Sequence, residues 1–428
     1  MKKFVYLCGM MLLCMNVMAQ IDPYDRNWDT VVFDDFDEPN RQFDRTFQES
    51  EGKWISFSPS LWPSGITKWT VIDGRVLCDH QIYQWKNCVF DDGIFDGANG
   101  VLKLNSQFIS STPIQCNDPS IPYDIPPASP AYNNITYQCD TEHQWLYYFS
   151  GMIQSPLSEP ETKSDNLPDP LFRYGYFEIR CKLPVHEGAF PAFWLWDSMR
   201  DQYYEENDIF EVSRYFTDSL YTPWTHNPNP LGLDDKNTFT TGIYYNDTGS
   251  SSVADETSQA RKYPAVASNT DLTDWHTFAC EWLPESVTWY CDGNIVNEYH
   301  NPDSIPHHHL SLITNYAIDR YAMQSHSALG SPEWQDNDIM IIDYIKVLQL
   351  QWDCDNDVNI TCQSDLDGFV YNVKKSISIP ASNEPVRVVD TNKVTFRATD
   401  SFEITGPFEV DSGGEMTVIM QSCPTPER

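Results

Sequence analysis

The chain has 428 residues, two to three times the usual domain length of about 150, which predicts one large domain and a small companion. Lys and Arg number 27 against 62 Asp and Glu, a net charge of −35; a field of that sign repels phosphate backbones and anionic lipid and excludes nucleic acid and membrane surfaces as partners. Hydrophobic residues make up 41% and aromatics 14%, too apolar for a disordered acidic chain.

In chain order, residues 1–19 place Lys2 and Lys3 before a short apolar run ending Val17-Met18-Ala19, the pattern of a signal peptide cleaved after Ala19. The predicted product is therefore exported: secreted, periplasmic or held at the cell surface. No later segment is apolar enough to span a bilayer. Short alternating runs follow, bounded by Gly, Pro, Asn and Asp: TKWTVIDGRVLC, GVLKLNSQF, GYFEIRCKL, TFACEWL, SVTWYCDGNIV and DIMIIDYIKVLQL. Helical periodicity is scarce, so the expected fold is an all-β sandwich over residues 20–352. Long polar or Pro-rich inserts at 110–145, 215–238 and 246–272 suit cleft walls better than plain connectors.

After Trp352 the composition shifts. Residues 353–428 lack Trp and carry short β-runs between turn residues, predicting a separate accessory β-module. Its run ITGPFEVDSGGEMTV resembles the stacked-β modules at the C-termini of secreted Bacteroidota proteins. Ten cysteines follow the leader, an even count that favours disulfides in an exported chain. The expected pairs are Cys354–Cys362 and Cys116–Cys139, both in turn-rich stretches, with buried thiols as the alternative. His307, His308 and His309 are consecutive; from a strand they cannot converge on one ion, and a solvated loop is expected there.

The sharpest local feature is Glu206-Asn207-Asp208-Ile209-Phe210-Glu211, three carboxylates spaced E-x-D-x-x-E. In so acidic a chain that spacing arises by chance about once, so context has to carry it. On a strand Glu206 and Asp208 share a face, whereas Glu211 points the other way unless a bulge absorbs one residue between Asp208 and Glu211. With the bulge, the two glutamates stand about 13 Å apart at Cα. Their side chains, leaning together, would then leave about 5 Å between carboxyls, the spacing of retaining glycosidases.

The context is LFRYGYFEIRCKLPVHEGAFPAFWLWDS at 171–198, leading into the acidic strand. With FDDFDEPN at 33–40, YFSGMIQS at 148–155, WHTFACEWLPESVTWYCDGNIV at 275–296, LSLITNYAI at 310–318 and DIMIIDYIKVLQ at 338–349, it resembles the family 16 glycoside hydrolases (laminarinases, lichenases, agarases and carrageenases) across nearly all of 30–350. The resemblance implies that the all-β sandwich is a β-jelly-roll with a glycan cleft across its concave face, and that it hydrolyses a β-linked polysaccharide with retained anomeric configuration. Glu206 would be the nucleophile, Asp208 the residue that tunes it, and Glu211 the general acid/base.

The same resemblance makes Trp194 the sugar platform, with Trp196 beside it, and Asn315 a cleft-facing side chain. It departs at TTGIYYND, where Tyr245 falls at or near the position of a histidine that many members carry. It also implies a structural calcium near the first and last strands, with Asp343 as a ligand, and no catalytic cofactor. The expected product is a monomeric endo-glycosidase acting on β-1,3-glucan or a related polymer. The rivals are an agar-, porphyran- or carrageenan-type galactan hydrolase and a non-catalytic glycan-binding protein.

Overall fold

A computed structural model describes residues 28–37, 47–50, 53–56, 70–71, 81–83, 87–108, 114–115, 145–146, 148–155, 172–184, 189–196, 204–212, 239–246, 271–318, 339–350, 352–367, 373–381, 384–389 and 393–424. The signal-peptide segment, the three long inserts apart from a few edge residues, and the Cys116–Cys139 pair lie outside these residues. Among those described, no helix is long and apolar enough to cross a membrane.

Alternation of side chains builds the main body. The strands are β1 (Asp29–Asp34), β2 (Cys88–Phe95), β3 (Ala98–Phe108), β4 (Tyr148–Gln154), β5 (Gly175–Lys182), β6 (Ala189–Trp196) and β7 (Tyr204–Glu211). They continue with β8 (Thr240–Asn246), β9 (His276–Trp282), β10 (Val287–Cys291), β11 (Asn294–Tyr299), β12 (Ser311–Ile318) and β13 (Ile339–Gln349). On β5, Phe177, Ile179 and Cys181 are fully buried while Arg180 and Lys182 stay partly exposed, the period-two signature of a strand with one face on a core.

Two antiparallel layers result, the jelly-roll sandwich expected from the sequence. One runs β8-β7-β6-β12-β4; the other runs β3-β13-β5-β9-β10-β11, with β1 alongside β13 and β2 alongside β3. They are joined at β4, whose Tyr148–Ser150 half pairs with β3 and whose Gly151–Gln154 half pairs with β12. Between the layers lie Phe177, Phe193, Phe210, Phe278, Trp282, Trp289 and Leu312. Asp96-Gly97 and Asp292-Gly293 close the β2–β3 and β10–β11 hairpins, all four residues at positive φ, as two-residue turns of the I′ type require. Gly100 cannot carry a side chain, because a Cβ there would stand 2.4 Å from the Phe36 carbonyl oxygen.

From Trp352 onward the strands run parallel. β14 (Trp352–Asn359), β15 (Val373–Ile379), β17 (Lys393–Ile404) and β19 (Glu415–Met420) form one sheet, and β16 (Val386–Val388) pairs with β18 (Phe408–Val410). Successive passes of the chain thus stack on one another around Ile360, Ile377, Val386, Val394 and Phe396, a solenoid-like arrangement. A short helix α1 (Gln363–Asp367) sits beside the first passes. Trp28, Tyr176, Leu283, Tyr290, Leu348 and Leu350 from the sandwich pack with Val373 of the stack, and Arg397 lies over the Trp28 ring at 5.4 Å.

The disulfide pairing differs from the sequence expectation. Cys354 bonds Cys423, not Cys362, with a Cα separation of 6.3 Å across 69 residues. β14 and β19 are the outer strands of the four-stranded sheet, so the link is made by the segment after β19 coming back to β14, a contact invisible to local spacing. Cys362 is an exposed free thiol beside Ser364, and Cys181, Cys280 and Cys291 are buried free thiols, held as neutral thiols because burial raises their pKa values.

Candidate active site

The acidic strand β7 sits between β6 and β8, and both ladders slip at the same place. Against β6, Glu206 faces Trp196, Asp208 faces Trp194, and Glu211 faces Ala192. Against β8, Asp208 faces Gly242 but Glu211 faces Thr240. Three residues of β7 are therefore matched by two on each neighbour, which is a bulge at Ile209-Phe210. Ile209 and Phe210 both enter the core between the layers, and parity is restored for Glu211. Glu206, Asp208 and Glu211 consequently line one face. The glutamates lie opposite residues four apart on β6, a span of about 13 Å at Cα.

The strand is anchored from behind. Asn207 Nδ2 donates to Cys280 Sγ at 3.4 Å, and Trp289 Nε1 donates to the Asp208 carbonyl oxygen at 2.9 Å. Thr240 Oγ1 donates to the Glu211 carbonyl at 3.2 Å. Glu206 and Asp208 are 8% and 1% exposed although they face away from the core.

Beside the row stands an aromatic strip. Trp194 and Trp196 are stacked on the carboxylate face, ring centroids 5.7 Å apart and planes 21° from parallel. Both remain partly exposed over Met152, Ile313 and Ala317. Asn315, on β12 opposite Ala192, accepts a hydrogen bond from Trp194 Nε1 at 2.8 Å, which fixes the indole plane. These sequence candidates come together with the carboxylates.

Two others do not. Tyr245 pairs with Glu205, one residue out of phase with the carboxylate row, and its ring lies against His307 on the opposite side of β7. Tyr244, opposite Glu206, takes the place assigned to Tyr245; the parity of YY depends on the register with β7, which the single strand does not reveal. Asp343 is in an ion pair with Arg180 on β5, and the Asp34 carboxylate accepts the Phe36 backbone N–H at 3.1 Å. The Asp343 carboxylate is engaged by the Arg180 guanidinium in the layer opposite the carboxylate row.

The three-histidine run also differs from expectation. His307 and His308 are not in solvent: the imidazoles converge on the buried Glu205 carboxylate, with His308 Nδ1 at 2.8 Å and His307 Nδ1 at 3.3 Å from Oε1. Glu205 had no sequence signal of its own beyond its neighbour Glu206.

Residues 160–327 match the signature of "Glycosyl hydrolases family 16". The chain is 26% identical over 309 residues to the endo-1,3-1,4-beta-glycanase EglC of Rhizobium meliloti (strain 1021), covering 72% of this chain and 50% of that relative. It thus spans half of that relative's length. The laminarinase catalytic domain of Thermotoga maritima superposes with a TM-score of 0.43 at 17% identity, over 76% of this chain and 99% of that one. Porphyranase B of Zobellia galactanivorans superposes at 0.45 and 13% identity, over 77% and 96%. Through residues 160–327, the chain is similar to the glycosyl hydrolases of family 16.

Proposed function

We propose that this protein is an exported, retaining endo-glycosidase that cleaves a β-linked polysaccharide, β-1,3-glucan or a close relative. The observation that carries the reading is the bulge at Ile209-Phe210, which turns Glu206, Asp208 and Glu211 onto one face beside the Trp194–Trp196 strip. Glutamates about 13 Å apart at Cα can lean together to the carboxyl spacing of about 5 Å at which one attacks the anomeric carbon while the other protonates the leaving oxygen. Glu206 is the nucleophile and Glu211 the acid, then the base for the water that hydrolyses the glycosyl-enzyme. Asp208, between them, tunes both through its charge. Indole faces receive the C–H faces of sugar rings, and Asn315 keeps the platform aligned.

The test separates the two glutamates on laminarin, mixed-linkage glucan, agarose, porphyran and carrageenan. Wild type is expected to release reducing sugar from a β-glucan with retained configuration by NMR. Glu206→Ala should be inert on every substrate. Glu211→Ala should still form the glycosyl-enzyme from an activated aryl glycoside, and azide should release it as a β-glycosyl azide. Inverted product, or azide rescue at position 206, would overturn the roles; cleavage of a galactan alone would transfer the reading to that polymer. Silence on all five by a folded protein would leave glycan binding without catalysis.

A further inference from the structure

Behind the carboxylate row, on the opposite face of β7, Glu205 is 1% exposed and faces the chain that leads into β12. Its Oε2 accepts the backbone N–H groups of His307 and His308, each at 2.9 Å. That pair of bonds fixes the carboxylate and directs Oε1 between the two imidazoles. The His307 and His308 rings lie 4.3 Å apart between centroids. The loop is itself held, since Trp282 Nε1 donates to the Pro306 carbonyl at 2.9 Å and Phe172 and Leu310 exchange backbone hydrogen bonds of 3.2 and 2.7 Å.

We propose that Glu205, His307 and His308 form a binding site for one divalent transition-metal ion, zinc foremost. One donor atom from each of the three residues lies within 4.8 Å of the other two. Donors about 2.0–2.1 Å from a tetrahedral zinc stand about 3.3 Å from each other. The carboxylate oxygen is already 2.8 and 3.3 Å from the two nitrogens, so an ion enters with small ring movements. Two imidazoles and one carboxylate suit zinc and its neighbours; calcium and magnesium require all-oxygen shells of six or more ligands. The backbone N–H groups on Oε2 supply the outer support that orients a ligating carboxylate.

On binding, each Nδ1–H···O bond gives way to an Nδ1–metal bond, and the neutral imidazole carries its proton on Nε2. No redox partner is needed. His307, 13% exposed at its side chain, is the open side where water completes the shell. Because the ligands belong to β7 and to the segment entering β12, the ion ties together the strands that carry the carboxylate row and Asn315. The site stands on these three residues alone and does not depend on the glycosidase reading.

The full chain, stripped with a chelator and dialysed, is titrated with zinc chloride by calorimetry and with cobalt(II) by visible absorption. Zinc is expected to bind with micromolar or tighter affinity and to raise the melting temperature. Cobalt should give tetrahedral d–d bands without a thiolate charge-transfer band, which separates this site from the His276–Cys291–Asp292 group. His307→Ala and His308→Ala should each weaken zinc about tenfold or more, while exposed His300→Ala changes nothing. A folded wild type that binds no zinc overturns the proposal, as does a titration unchanged in both histidine variants or one dominated by a thiolate band.

Discussion

Trp194 shows how one half-exposed side chain is held in a fixed orientation. Its ring is stacked on Trp196 and its Nε1–H is held by Asn315, so the outer face is presented at little further entropic cost. Trp194→Ala should raise KM about tenfold and lower kcat much less, since stacking of about 1–2 kcal/mol acts in the ground and transition states alike. Asn315→Ala should give a smaller KM effect of the same sign, because it loosens the platform without removing it. Steady-state kinetics on a soluble oligosaccharide decides, and a fall in melting temperature with unchanged kinetics would identify Trp194 as packing only. These residues were legible because alternation along PAFWLWD assigns Trp194 and Trp196 to one face. Tyr244 and the Glu205–His307–His308 group were not, because each depends on which residue of another strand lies opposite.

At the scale of single elements, the bulge in β7 decides which side chains share the carboxylate face. Inserting one alanine between Phe210 and Glu211 should put the alanine in the outward position and turn Glu211 toward the core, with loss of activity and a fall in melting temperature, whereas deleting Ile209 leaves E-x-D-x-E, which keeps the three carboxylates on one face. Ile209→Val, which keeps the residue count, should cost about 1 kcal/mol and leave activity near wild type. The need for such a bulge followed from the E-x-D-x-x-E spacing; its position came only with the ladders on both sides.

The β9–β10–β11 hairpins offer a second, pH-dependent test. His276 Nδ1 and Asp292 Oδ2 are 2.7 Å apart. Burial alone would lower the His276 pKa, but the hydrogen bond and charge of Asp292, with the Asp271 carbonyl, raise it above 6.5 on balance. For Asp292, burial pushes the pKa up, and the hydrogen bonds from His276 and the Thr277 N–H bring it below 3.8. The raised histidine contributes stability fully below about pH 6.5 and loses it as pH climbs through the folded value; the depressed aspartate contributes above about pH 3.9 and loses it as pH falls through its own. The pair is therefore worth most near pH 5. Asp292→Asn, which keeps a turn-compatible Asn-Gly, should lower the melting temperature most at about pH 5 and least at about pH 9.

For the whole molecule, the stack beyond Trp352 and the sandwich share a hydrophobic seam, while every residue assigned to chemistry lies before residue 320. Truncation after Trp352 exposes Trp28, Tyr176, Leu348 and Leu350. The fragment is expected to melt several degrees lower yet keep its activity on soluble oligosaccharides within a few fold. A thousandfold loss in a well-folded fragment would place part of the stack in the cleft. The antiparallel body was visible in the sequence as alternating runs, and the change after Trp352 as a change of composition. Parallel stacking was not, since a short β-run reads the same whichever way its neighbour travels.

The Cys354–Cys423 bond closes that stack upon itself, uniting its first strand with the segment that follows its last. Tension applied to the backbone beyond residue 423 therefore passes through sulfur to Cys354 and directly into the sandwich beside Trp352. The intervening strands carry none of the load: the disulfide is a mechanical shunt, and under a pull at that point the stack stays folded while the force is borne by covalent bonds.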